Sequence, residues 1–230
     1  MIAFIENPQL LINEFNELID TAQTKAFITV GIEIQKDEIE VLRTYRDDLK
    51  KLKSEFISKK LENEANLVFL IDNSIHAIQL ELEMLVNIKE DNMSAAWGSL
   101  VQAQVTIGTV IRNHFLDASF LDGFVDRLSA YEKLLFPSMM FHSVGGIIRK
   151  SLCSICNDDY NKCDHLKGNL YMGEMCVHII TKMDLEEASV VENPANKLCR
   201  TISIQVNGKS YDTLTLRTLD KDSDETIDKE

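Results

Sequence analysis

Cys153-Ser154-Ile155-Cys156, six further residues, then Cys163-Asp164-His165 is the stretch on which the reading of this chain turns. Three thiols and an imidazole fall within thirteen residues. That is the donor set of a tetrahedral zinc site, because Zn2+ has no d-electron geometric preference and accepts thiolate sulfur and imidazole nitrogen readily. A two-residue gap lets both sulfurs of a tight turn point at one ion. Cys163 and His165 are one residue apart, so their side chains leave the same side of an extended segment. Four protein ligands leave no open position for water, so the spacing predicts a structural Zn2+ held by Cys153, Cys156, Cys163 and His165. Cys176 and His178 repeat the one-residue gap and are rival ligands, but they fall on an apolar strand, where cysteine behaves as a small hydrophobe. Cys199 reads as an incidental thiol. A thioredoxin-like redox pair is disfavoured, since no βαβ pattern surrounds the motif.

Working outward from this motif, the chain changes character. Before it, helical patterning dominates. Asn7-Pro8 reads as an N-cap followed by proline at the first helical position. Leu11, Phe15, Leu18 and Ala22 then recur at helical spacing. The segment 26–34 is rich in β-branched residues and reads either as a strand or as a helix interrupted near Gly31. From Lys36 to about Leu61, Ile39, Leu42, Leu49, Leu52 and Phe56 form a narrow apolar stripe among charges, the pattern of a long amphipathic helix with coiled-coil-like packing. A second long helix is expected from Asn66 to Lys89. A third follows a cap at Asp91 or Asn92, through Trp97, Leu100 and Ile107. A fourth opens at Ser119 and is ended by Pro137. Such helices with short links predict an antiparallel bundle.

Beyond Gly145-Gly146 the pattern is of β type. The segments 176–181 and 187–191 read as strands, the second broken by Asn193-Pro194. The segments 201–206 and 210–217, joined by Asn207-Gly208, read as a hairpin. The expectation is therefore an α+β chain in three parts: a helical bundle and association domain over 1–142, a Cys3His zinc-binding β module over 143–218, and a disordered acidic tail over 219–230.

Composition narrows the function. The chain has 230 residues and a net charge of −13. Nucleic-acid binding rests on clustered cations that neutralise phosphates, so this balance disfavours it. Lys50, Lys51, Lys53, Lys59 and Lys60 alternate with acids and read as a solvated helix face. No apolar run approaches the ~20 residues of a membrane span. The first residues lack a signal-peptide pattern, and five cysteines mostly at metal spacing argue for reduced thiols. The expected location is cytoplasmic. His76 and His114 read as surface or interhelix histidines, and Arg112 and His114 are too close in sequence to share one helix face. Met139-Met140-Phe141 reads as core or as a contact between domains. No phosphate loop, dinucleotide glycine motif or nucleophile elbow is present.

Cys153, Ser154, Cys156, Cys163, His165, Gly168, Tyr171 and Gly173, followed by Glu187, Ser189, Val191, Pro194 and Ala195, resemble a zinc-containing module of uncharacterised bacterial proteins with an N-terminal helical region. Ala95-Ala96-Trp97 with Leu100, and Glu132 to Pro137, are similar to that family's helical portion. Asn157 stands where relatives often carry glycine, and asparagine tolerates the left-handed conformation such a position needs. The Ser189 to Ala195 piece is also similar to a strand of phage prohead proteases, but no serine and histidine can be assigned here for acyl transfer. The resemblance implies a bacterial accessory or regulatory subunit in a phage-defence (antiviral) or mobile-element setting. The function expected is non-catalytic: a zinc-fixed module beside a helical surface for self-association or a protein partner. The alternative is a nuclease-like or hydrolase-like enzyme with its site between bundle and zinc module.

Overall fold

The computed structural model describes residues 8–115 and 117–219. Asn7, the expected first cap, and most of the expected acidic tail lie outside the described residues. The described chain is α+β. It begins with helices α1 (Pro8–Lys25), α2 (Ile32–Ser58), α3 (Glu62–Lys89), α4 (Met93–Asn113) and α5 (Asp122–Leu135), the last entered through a 3-10 turn at Ser119–Leu121. Strands β1 (Phe141–Cys153), β2 (Leu170–Tyr171), β3 (Glu174–Met175), β4 (His178–Val191), β5 (Ser203–Val206) and β6 (Lys209–Asp212) follow. They form three two-stranded sheets, β1 with β4, β2 with β3 and β5 with β6.

In the ambiguous segment 26–34, residues 26–31 form a turn between two helices and 32–34 open α2, and a buried polar group explains the turn. The Gln35 side chain is fully buried. Its amide donates to the carbonyls of Lys25 (2.8 Å) and Phe27 (3.0 Å), while Lys89 Nζ donates to its Oε1 (2.6 Å). Groups left unpaired inside a protein are costly, so the turn is built around satisfying them. Lys25 also pairs with the buried carboxylate of Glu38. At the start of α4, Asn92 Oδ1 accepts from the N–H of Ala95 (3.3 Å), the expected cap.

The stripe of α2 is used inside the chain. Ile39, Leu42, Leu49, Leu52 and Phe56 are all buried, as are Ile75, Leu82, Met84 and Leu85 of α3 and Ala96, Trp97 and Leu100 of α4. Each buried Leu, Ile, Met or Phe of this set contributes about 1.5–3 kcal/mol by leaving water. The reading of this stripe as a surface for self-association is therefore corrected: α2 spends it on its own core. Polar links run beside it. Arg46 of α2 donates to Asp72 (2.7 Å) and Gln79 (2.9 Å) of α3.

By compactness the chain divides into two units. One holds the described residues up to Ser129 together with Ile148–Asp184, so the cysteine-rich segment belongs with α1–α4. The other holds Ala130–Ile147 and the described residues from Leu185 onward. In this second unit Lys197 pairs with Glu132 (2.6 Å), and the backbones of His142 and Thr201 bond to those of Cys199 (2.7 Å) and Met140 (2.8 Å). Phe141 is buried there, while Met140 is exposed. The β5–β6 hairpin turns on Asn207 (φ 52°) and Gly208 (φ 77°), the two positive φ values of a type I′ turn.

Two strand expectations needed revision. Residues 178–181 and 187–191 belong to one continuous strand, β4, with Cys176 and Val177 lying before it, and the stretch around Gly145-Gly146 is not a break but part of β1. A Cβ on Gly145 would lie 2.8 Å from Glu187 Cγ, so glycine there makes room for a side chain of the facing strand.

Candidate metal centre

The site is assembled from the end of β1, the loop that follows it, and the β2–β3 hairpin. Cys153 closes β1. The chain then turns tightly: Asn157 N–H donates to Cys153 O (2.9 Å) and Cys153 N–H to Asp158 O (2.9 Å). Asn157 takes φ 60°, the left-handed conformation anticipated for the residue after the second cysteine. This turn aims the Ile155 N–H at Cys153 Sγ (3.4 Å). A backbone dipole directed at sulfur favours thiolate over thiol.

A short 3-10 turn, Tyr160–Lys162, delivers Cys163, and Asp159 Oδ1 caps it by accepting from Asn161 N–H (3.0 Å). The loop beyond is pinned by two phenols. Tyr171 Oη accepts from Leu166 N–H (2.9 Å), and Tyr160 Oη accepts from Lys167 N–H (2.9 Å). The Tyr171 ring meets His165 edge to face at 4.6 Å and fixes the imidazole plane. Gly168 N–H donates to Cys176 O (2.8 Å) and Cys176 N–H to Asn169 O (2.9 Å), so the hairpin closes over the site.

As a result the ligand atoms of Cys153, Cys156, Cys163 and His165 all lie within 4.8 Å of one another. Cys153 is fully buried, and the other three are partly so. These are the four residues expected from spacing, and together they can hold a metal ion. His165 Nδ1 is buried with no hydrogen-bond partner. Such an atom costs about 1–3 kcal/mol unless something binds it, and a metal ion would. The sulfurs point the same way. Burial pushes the Cys153 thiol up, but the N–H groups of Cys156 and Ile155 and the neighbouring thiols outweigh it and bring it down to about 6. Burial, then the nearby Cys153 and Cys156 sulfurs, pushes the Cys163 thiol up, against the opposing effect of the His165 backbone. A cation is what would let several thiolates share so small a space.

The rivals separate. His178 Nε2 lies 2.6 Å from Ser151 Oγ, and its ring packs against Tyr160 at 4.0 Å, so it is engaged beside the site. Cys176 is different: its Sγ lies 3.7 Å from Cys153 Sγ. Cys199 is exposed in the other unit. Neither Ser151, Tyr160 nor Tyr171 could be assigned a bracing role from spacing, because each acts through a contact made only on folding.

The metal loop is anchored to the helices. Gly173 N–H donates to Asn66 Oδ1 (2.7 Å), Lys53 Nζ donates to Gly173 O (3.0 Å) and pairs with Glu174 (2.8 Å), and Met172 N–H donates to Glu62 (3.2 Å). Gly173 has φ 74°, and a Cβ there would stand 3.0 Å from Ala65 O. Nearby, Glu64, Arg112, His114 and Asn169 border a cleft of about 680 Å³. His114 stacks on Phe115 (5.1 Å) and meets Phe120 edge-on (5.3 Å). His76 is half-buried on α3 near Arg46 and Asp72.

No helix among the described residues is long and apolar enough to cross a membrane. No protein family model, curated protein or solved structure matches this chain.

Proposed function

We propose that this chain is a non-catalytic zinc-binding accessory protein that acts through protein–protein contact, with Zn2+ as a structural ion. The observation that carries the reading is where the four-ligand cluster stands: at the root of the β1–β4 ribbon, with Cys153 ending β1 and Cys176 just before β4. Four ligands close the coordination sphere, which suits a staple and leaves no place for an activated water. The ribbon it would hold has only two strands. An isolated pair of strands is marginally stable in water, and its open edges accept further strands. Within the same compact unit the ribbon exposes Ile148, Ile179, Ile180 and Met183. Beyond the Phe141–Arg200 bridge at its far end, an apolar two-stranded ribbon supports binding by strand addition, whether to a second copy or to a protein partner. The test is native mass of the zinc-loaded chain over a range of concentrations, beside an Ile180→Lys, Met183→Lys variant. The reading expects assemblies that this variant abolishes. One chain per particle at every concentration, with no co-purifying protein, would contradict it.

A second reading, an enzyme of hydrolase or nuclease type, draws on the cleft bordered by Glu64, Arg112 and His114. Convergent polar and titratable groups in a concavity are what such a site needs. Loss of a hydrolytic activity on Glu64→Gln, with metal content unchanged, would favour it.

A further inference from the structure

A fifth donor, the Cys176 sulfur, stands beside the four that cluster at the candidate metal centre. Cys176 is fully buried, and its Sγ stands 3.7 Å from Cys153 Sγ. A tetrahedral ion with metal–sulfur bonds of about 2.3 Å has sulfur–sulfur edges of about 3.8 Å. The Cys153–Cys176 separation is thus the spacing of two ligands on one ion. His165 nevertheless belongs to the resting set, because one of its ring nitrogens lies within 4.8 Å of the three cysteine sulfurs, and its buried Nδ1 has no hydrogen-bond partner. Cys176 has a neighbour in Cys153 and a fixed place, since its N–H and C=O are both held by the Gly168–Asn169 turn.

We infer that Cys176 is a reserve ligand, and that the centre exchanges between a state with three thiolates and one imidazole and a state with four thiolates, by swapping His165 for Cys176. This rests on the metal-centre reading above. In the exchange the bond from the metal to the His165 ring nitrogen breaks and a metal–Sγ bond to Cys176 forms. The Cys176 thiol proton passes to solvent, and His165 leaves as neutral imidazole. The ion stays four-coordinate, and the centre gains one negative charge. The exchange frees His165 from the ion and so loosens the 163–171 loop that it and Tyr171 hold together. It also gives a partly dissociated ion a second hold, which slows its escape.

The test uses the full chain with Co2+ in place of Zn2+, read by thiolate-to-cobalt absorption, and zinc release to a chelator. Wild type should bind one Co2+ with a three-thiolate spectrum, and Cys176→Ser should keep that spectrum but release zinc about 10-fold faster or more. His165→Gln should still bind one Co2+, now with a four-thiolate spectrum. The pair His165→Gln, Cys176→Ser should bind at least about 100-fold more weakly than His165→Gln alone. Three outcomes overturn the inference: an unchanged release rate in Cys176→Ser, loss of a thiolate band in that variant, or a His165→Gln protein no better at binding than the double variant. Absence of metal from wild type would instead overturn the metal-centre reading itself, so the two failures are distinguishable. The Cys176→Ser rate decides the matter even where His165→Gln does not fold.

Discussion

Arg127→Met should be among the most damaging substitutions on the helical surface of this protein. Glu81 of α3 has no exposed surface, yet it is a carboxylate. Arg127 of α5 meets it with both arms, Nε to Oε1 at 2.7 Å and Nη2 to Oε2 at 2.9 Å. Methionine keeps most of the aliphatic packing and removes only the guanidinium. Glu81 would then be buried with its charge unopposed, a loss of about 3–5 kcal/mol. For a chain of this size that lowers the melting temperature by roughly 6–20 °C. The loss should depend on pH. Burial raises the Glu81 pKa even against the opposing hydrogen bond and charge of Arg127. Without Arg127 the carboxyl protonates more readily still, so the penalty is largest at neutral pH and shrinks on acidification. Urea unfolding followed by circular dichroism at pH 7.5 and pH 5 measures both effects. Replacing the pair together, as Glu81→Leu with Arg127→Met, should recover most of the loss, because no stranded charge remains. A cost below about 1 kcal/mol at pH 7.5, or one that does not change with pH, would refute the reasoning.

Two further outcomes follow from the same kind of argument. Burial, then the Arg46 charge, lowers the His76 pKa from 6.5 to about 4. The unfolded chain therefore binds the extra proton between those values, and the stability contributed is complete above pH 6.5 and lost as pH falls to 4. His76 is only half-buried, so solvent reduces the effect to about 1–2 kcal/mol; the wild type should lose that much relative to His76→Gln across this window in urea titrations. Gly173→Ala places a Cβ against Ala65 O at a φ of 74°. It should cost about 1–3 kcal/mol and speed zinc loss, because the strain falls on the hairpin that closes the metal loop. Thermal melts and chelator kinetics on the one variant report both.

Much of the metal centre was legible because its determinants are local. Cysteine spacing, the asparagine that accepts positive φ, and an imidazole one residue past a cysteine all lie within a few residues of each other. The Asn207-Gly208 hairpin was legible for the same reason. What could not be read depends on contacts between distant residues. The apolar stripe of α2 looked the same whether its partner was another chain or α3, and only burial of Leu42, Leu49 and Leu52 decides it. Strand β1 was hidden because a two-stranded ribbon exposed on most of its length shows no clean alternation, and because Gly145 answers to Glu187 across the ribbon. The anchoring of the loop to Asn66, Lys53 and Glu62 joins positions more than a hundred residues apart. Nor did spacing separate Cys176 from His178. The first approaches a ligand sulfur and the second a serine hydroxyl.

The central claim, that a structural ion holds this fold, is tested most directly by metal analysis of the purified chain joined to amide hydrogen exchange before and after chelation. The account predicts one zinc per chain. It also predicts that chelation removes protection from residues 153–178 and lowers the melting temperature, since binding free energy at a structural site is folding free energy. A chain purified without metal, or one whose exchange and melting are unchanged by the chelator, would contradict it.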